Sequence, residues 1–287
     1  MATYYRHSGK YTPDGPLLGL LAGMLLAMPA AFLYSYGIFE IDSAKLRMLL
    51  PMGFGALIGA ACGAAMYWGK VRNLTVAGVV GAIASSFALY ISWVAWILHL
   101  LYPERWIFNL TRPAMHPLGL WTLILGVNAK GTWGYEHGAP TTGTSLWIIW
   151  ATEAAFVIGF GALVAVALVK RLPFCEPCNA WCTKKLAVYF APSLPPAQIK
   201  EQVESQNIGL LDKLPAGNKK QPHFRVDLHT CGVCHALNTL SLVQNFPRNH
   251  TTLIDKLLVT AEQASAFRNL EMARSAAVAV PSVSPAK

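Results

Sequence analysis

A chain of 287 residues that is 54% hydrophobic and only 13% charged departs from soluble domains, where roughly a quarter of residues are charged, and a membrane protein is expected. Six cysteines are too few for a disulfide-dense secreted scaffold of this length, and five of them crowd into two C-terminal clusters, the pattern of metal or redox chemistry. The net charge of +9 would form a patch or stripe in a nucleic-acid binder, whereas Arg6, Lys10, Lys45, Arg47, Lys70, Arg72, Lys170 and Arg171 flank apolar runs, so lipid headgroups are the expected counter-charge and no nucleic-acid partner is expected.

Four runs, 17–39, 49–69, 74–102 and 146–169, are long and apolar enough to cross a bilayer core, which takes roughly 20 helical residues. The first opens with "LLGLLAGMLLAM", as a signal peptide would. It continues through "AFLYSYGIF", past the roughly 7–15 residues of a signal core and with no convincing small-residue cleavage site, and is read as a span. Small residues recur at helical spacing: Gly19, Gly23, Ala27 and Ala31 in the first span; Gly55, Gly59 and Gly63, with Ala56, Ala60 and Ala64, in the second; Ala151, Ala155 and Gly159 in the fourth. Such stripes let helix backbones approach closely where lipid supplies no hydrophobic drive, and a compact bundle is expected. Cys62, within the second stripe, reads as a packing residue.

With both termini inside, eight basic residues near span ends (Arg6, Lys10, Lys70, Arg72, Lys170, Arg171, Lys184, Lys185) face the cytoplasm, against five outside (Lys45, Arg47, Arg105, Arg112, Lys130). Cytoplasmic N- and C-termini in the inner (plasma) membrane are therefore expected. Residues 103–145 then form a long outer loop. It contains "HPLGLWTLILGV", too short to cross and read as an interfacial or re-entrant helix, and a Gly- and Thr-rich surface stretch with His137. Trp121, Trp133, Trp147 and Trp150 suit an aromatic belt.

Beyond Arg171 the chain turns polar. Residues 1–171 are expected to be the four-helix transmembrane domain, 172–274 a soluble Cys-rich domain and 275–287 a disordered tail. Within the soluble part, 197–211 reads as a short helix. "HFRVDLHT" and "ALNTLSLVQ" alternate with period two around a CxxC, as a hairpin would, and 252–274 repeats apolar residues as an amphipathic helix.

"PFCEPCNAWC" supplies Cys175, Cys178 and Cys182, and "HTCGVCH" supplies Cys231 and Cys234. Two CxxC pairs on separate segments suit a tetrahedral zinc ion, each pair clamping two corners, so a structural Zn2+ on Cys175, Cys178, Cys231 and Cys234 is expected, with the 52 residues between the pairs looping out. Cys182 is expected to pack with Trp181, the alternative being that it replaces one of the four thiolates, and His229 and His235 to serve as neighbours or further donors. Two rival chemistries use the same residues. "CGVCH" matches the attachment signature of a c-type haem with His235 as axial ligand, which requires an export-side domain. CxxC also poises dithiols for exchange, though no βαβ pattern surrounds either pair.

Glu153 is the one acid inside a span and a functional candidate by default, with His99 and His137 as possible neighbours. The chain contains no GxSxG, HExxH, P-loop or dinucleotide fingerprint, and three N-x-T sequons, at Asn73, Asn109 and Asn249, decide nothing.

"GKVRN", "GTWGYEHGAPTTGTSLWIIWATEA", "FCEPCNAWC" and "CGVC" together resemble a type of bacterial inner-membrane protein in which four spans precede a cytosolic domain with paired cysteines. The resemblance implies architecture and cysteine pairing, and no activity. The expected fold is an α-helical membrane bundle of four transmembrane helices with a small C-terminal α+β, zinc-ribbon-like domain. The expected function is a non-enzymatic docking or regulatory platform for a protein partner; the alternatives are a small transporter or channel component using Glu153, or a thiol or haem redox protein.

Overall fold

Four helices are long and apolar enough to cross a membrane in the computed structural model, which describes residues 2–41, 43–101, 116–132, 140–247 and 249–279. They are α1 (Asp14–Glu40), α2 (Ala44–Trp68), α3 (Leu74–Leu101) and α5 (Gly143–Lys170), and they suggest a membrane protein. The shorter α4 (Pro117–Lys130) packs on α5. Arg105, Asn109, Arg112, Trp133 and His137 lie outside the described residues.

α2 packs on α1 and α5, and α3 packs on α1 and α5. The glycine stripes of the first two spans are the reason the helices meet. A Cβ at Gly55 or Gly59 would collide with the backbone of Val157 or Gly161, and one at Gly19 or Gly23 with Met66 or Cys62. In α5 the expected stripe is corrected: Ala151 and Ala155 are exposed and nothing lies within 4 Å of a Cβ at Gly159. The packed face is Leu146, Trp150, Val157, Gly161, Ala165 and Val169. In "GKVRN", the Arg72 N–H donates to the Lys10 carbonyl at 2.9 Å, and the Asn73 side chain accepts the Val76 N–H at 3.0 Å, capping α3.

Contacts divide the chain into a helical unit, Ser8–Arg171, and a second unit of Leu172–Lys287 with Met1–His7. The second unit begins with β1 (Phe174–Cys175) and β2 (Ala180–Trp181), a minimal antiparallel pair. An antiparallel sheet follows in the order β3-β4-β5-β6, from β3 (Lys184–Phe190), β4 (His223–Thr230), β5 (Asn238–Phe246) and β6 (Asn249–Leu258). Phe224, Val226 and Leu228 alternate onto its apolar face, where they meet Ile199, Leu211 and Phe267 from α6 (Pro196–Glu204), α7 (Leu210–Lys213) and α8 (Ala261–Ala279). On the other face Asp227 pairs with Lys185 at 3.1 Å and with Arg225 at 3.2 Å.

The hairpin is present as β4 and β5. Two expectations are corrected. The helix over 197–211 is two shorter ones, interrupted at Ser205–Gly209 by a turn in which Gln206 has φ 63°. The helix over 252–274 starts only at Ala261, because 252–258 belong to β6; α8 also runs through Ala279, inside the expected tail.

Residues 3–5 add to the free edge of β6. The Tyr5 N–H donates to the Lys256 carbonyl at 2.8 Å, the Leu258 N–H donates to the Thr3 carbonyl at 2.8 Å, and Tyr4 bridges Leu257 in antiparallel sense. The Tyr4 hydroxyl donates to Glu204 on α6.

Candidate metal centre

Each CxxC pair sits in a tight turn at one end of the sheet. The first lies in the β1–β2 connection, where the Asn179 N–H donates to the Glu176 carbonyl at 3.1 Å and the Cys182 N–H donates to the Pro173 carbonyl at 2.8 Å. The second lies between β4 and β5, closed by the Cys231 N–H on the Leu237 carbonyl at 3.0 Å and the His235 N–H on the Cys231 carbonyl at 3.2 Å. In both turns the residue after the second cysteine takes the left-handed conformation: Asn179 at φ 47° and His235 at φ 57°. That kink turns the chain back beneath its own sulfurs. Asn238 fixes the second turn, donating to the carbonyls of His235 at 3.0 Å and Ala236 at 3.3 Å while accepting from the buried Thr230 hydroxyl at 2.9 Å.

The sulfurs of Cys175, Cys178, Cys231 and Cys234 all lie within 4.8 Å of one another, with Cys175 and Cys234 at 3.6 Å. Metal–sulfur bonds of about 2.3 Å in a tetrahedron put sulfurs about 3.8 Å apart, so the four thiols could hold one metal ion. Cys175 and Cys231 are buried, Cys178 is half-buried and Cys234 is exposed. Their protons are unequally held. The Cys234 sulfur beside Cys178 pushes that thiol up to about 12, and burial pushes Cys175 up. The Ala236 N–H, donating at 3.4 Å, brings Cys234 down to about 6. Burial raises Cys231, but the backbone N–H groups of Cys234 and Val233 outweigh it and lower the thiol overall. Two of the four thiols thus hold their protons more tightly than an ordinary cysteine, and a bound cation would favour their thiolate forms.

Cys182 is fully buried against Cys175 and Cys231, its thiol pushed up to about 12 by burial, and it is not among the four. The group also contains neither His229, half-buried on β4, nor the exposed His235. Trp181 packs on Phe174 at 4.9 Å and on His7 at 6.2 Å. Both thiols of "CGVCH" face the first CxxC pair, an arrangement suited to a shared ion and not to two separate vinyl attachments.

Sequence reasoning missed Tyr5, Thr230 and Asn238. Tyr5 reaches across 169 positions to the backbone of Phe174, and no local pattern announces such a contact.

Glu153 lies ten residues into α5, about 15 Å along the helix. Its carboxylate accepts a hydrogen bond from the hydroxyl of Tyr34, a buried residue of α1 that stacks on Phe54 at 4.5 Å. His99 packs instead on Phe39, with ring centres 4.3 Å apart. Trp150 is buried against Trp93 at 4.9 Å, and so belongs to the bundle interior, not to a surface belt.

No known protein family, curated protein or solved structure matches this chain.

Proposed function

We propose that this is an integral membrane protein whose C-terminal unit is built around one structural zinc ion on Cys175, Cys178, Cys231 and Cys234, and that the unit is a non-enzymatic platform for a protein partner. The donor set carries the proposal: four sulfurs from two turns, close enough for one ion. Four thiolates complete a tetrahedral shell and leave no position for substrate or activated water, and soft sulfur donors select zinc or iron over magnesium or calcium. Thr230 and Asn238, beside the second turn, are hydrogen-bonded to each other and to backbone, which orders that turn.

Both termini are assigned to the cytoplasmic side of the plasma membrane. The charge bias of the span ends supports the cytoplasmic side, and the pairing of residues 3–5 with β6 supports both ends lying on one side, as an even number of crossings requires.

Metal analysis of the purified full chain tests the proposal, with one zinc per chain expected and none in Cys231→Ser. A cobalt-substituted protein should show thiolate-to-cobalt absorption that added cyanide leaves unchanged. Iron in place of zinc, or a cobalt spectrum that cyanide alters, would overturn the closed zinc site and reopen catalysis.

A further inference from the structure

Glu153 and Tyr34 meet at a cavity of about 30 Å³ between α1, α3 and α5, with room for about two water molecules. Tyr34, Ser35 and Ile38 line it from α1, Ser92, Trp93 and Trp96 from α3, and Trp150 with Glu153 from α5. Among the described residues Glu153 forms no ion pair, and Tyr34 is both its hydrogen-bond partner and the one other titratable group on the wall. From α2 the neighbour is Phe54, stacked on Tyr34, and His99 on α3 faces Phe39. A carboxyl group in this setting needs a positive partner, and the surroundings decide which. A divalent metal ion requires about six oxygens, more than the Glu153 carboxylate and the hydroxyls of Tyr34, Ser35 and Ser92 offer among the described residues of the wall. The rest of the wall is three indoles and an isoleucine, and the space is too small for an organic cation.

We propose that Glu153, with Tyr34, is a proton-binding site inside the helical bundle, exchanging its proton through the cavity. On release the Glu153 O–H bond breaks and the proton passes to water, while the Tyr34 hydroxyl donates to the carboxylate left behind. On uptake the steps reverse. The site is independent of the zinc platform but rests on the bundle being embedded in lipid.

Reaction with dicyclohexylcarbodiimide tests it, because the reagent partitions into membranes and adds as a whole molecule to a protonated carboxyl group. Membranes carrying the full chain are first washed with alkaline carbonate; retention of the chain there checks the embedding separately. Peptide mass spectrometry should then find the adduct on Glu153, with a rate that falls about tenfold per pH unit once the proton is lost. Tyr34→Phe, which removes the hydrogen bond to the carboxylate, should label faster than the native chain at neutral pH. In an embedded chain, no adduct on Glu153, a rate independent of pH, or protection by sodium at constant pH would overturn the proposal.

Discussion

The hydroxyl of Tyr5 is hydrogen-bonded to both backbone groups of Phe174, accepting its N–H at 2.9 Å and donating to its carbonyl at 3.3 Å. Phe174 immediately precedes Cys175, the first of the four clustered cysteines, so Tyr5 holds the first CxxC turn in shape. Tyr5→Phe removes both hydrogen bonds to the Phe174 backbone and should cost about 1–3 kcal/mol. Zinc loss to a chelator should be faster in this variant; an unchanged loss rate and unchanged melting would count against the coupling.

Residues 3–5 cover the edge of β6, which without them presents unpaired backbone groups. Segment 172–287 expressed alone should therefore aggregate or be cleaved by protease more readily than the same segment carrying residues 1–7 on a flexible linker. Equal solubility and protease resistance of the two would refute a structural role for the N-terminal residues.

The five clustered thiols should divide sharply on substitution. Replacing Cys175 or Cys231 by Ser should abolish zinc binding and expose the unit to protease, since a structural ion's binding energy is also folding energy. Cys182→Ala removes only a buried sulfur and should keep one zinc per chain, with a stability loss of about 1 kcal/mol. Zinc-to-protein ratios for the three variants decide this.

Zinc uptake should release protons at neutral pH. The thiols of Cys175 and Cys178 are raised above the ordinary value and hold their protons there in the metal-free site, whereas binding requires thiolates. Affinity should accordingly weaken as pH falls from about 7 to about 5. Calorimetry in buffers of different ionisation enthalpy measures the released protons, and a pH-independent affinity would contradict the tetrathiolate assignment.

Two glycines that look alike in sequence should respond oppositely. At Gly59 a Cβ meets the backbone of Gly161, which cannot yield as a side chain could, so Gly59→Ala should destabilise the bundle by about 1–3 kcal/mol. At Gly159 the Cβ meets nothing, and Gly159→Ala should be neutral or slightly stabilising through helix propensity. Thermal unfolding in detergent compares them.

Several features were legible because they are local. The length and apolarity of α1, α2, α3 and α5 follow from composition alone, and the spacing within each CxxC already brings two sulfurs to one turn. β6 was illegible for an equally physical reason. Its pairing with β5 slips between Leu240–Leu257 and Leu242–Ile254, around Asp255 and Lys256, and Lys256 takes φ 57°. That bulge breaks the two-residue alternation and leaves Leu253, Leu257 and Leu258 at the spacing of a helix face.

The buried face of α5 could not be read at all, since a helix apolar all round carries no contrast between its packed face and its exposed one. Composition and short-range spacing thus determined that four apolar helices precede a unit with paired cysteines. Only the tertiary structure decided that both pairs meet, that Tyr5 braces one of them, and that Tyr34 faces Glu153. Those contacts span 53 to 169 positions of chain, and a contact of that range is chosen by how whole elements pack rather than by any neighbouring residue.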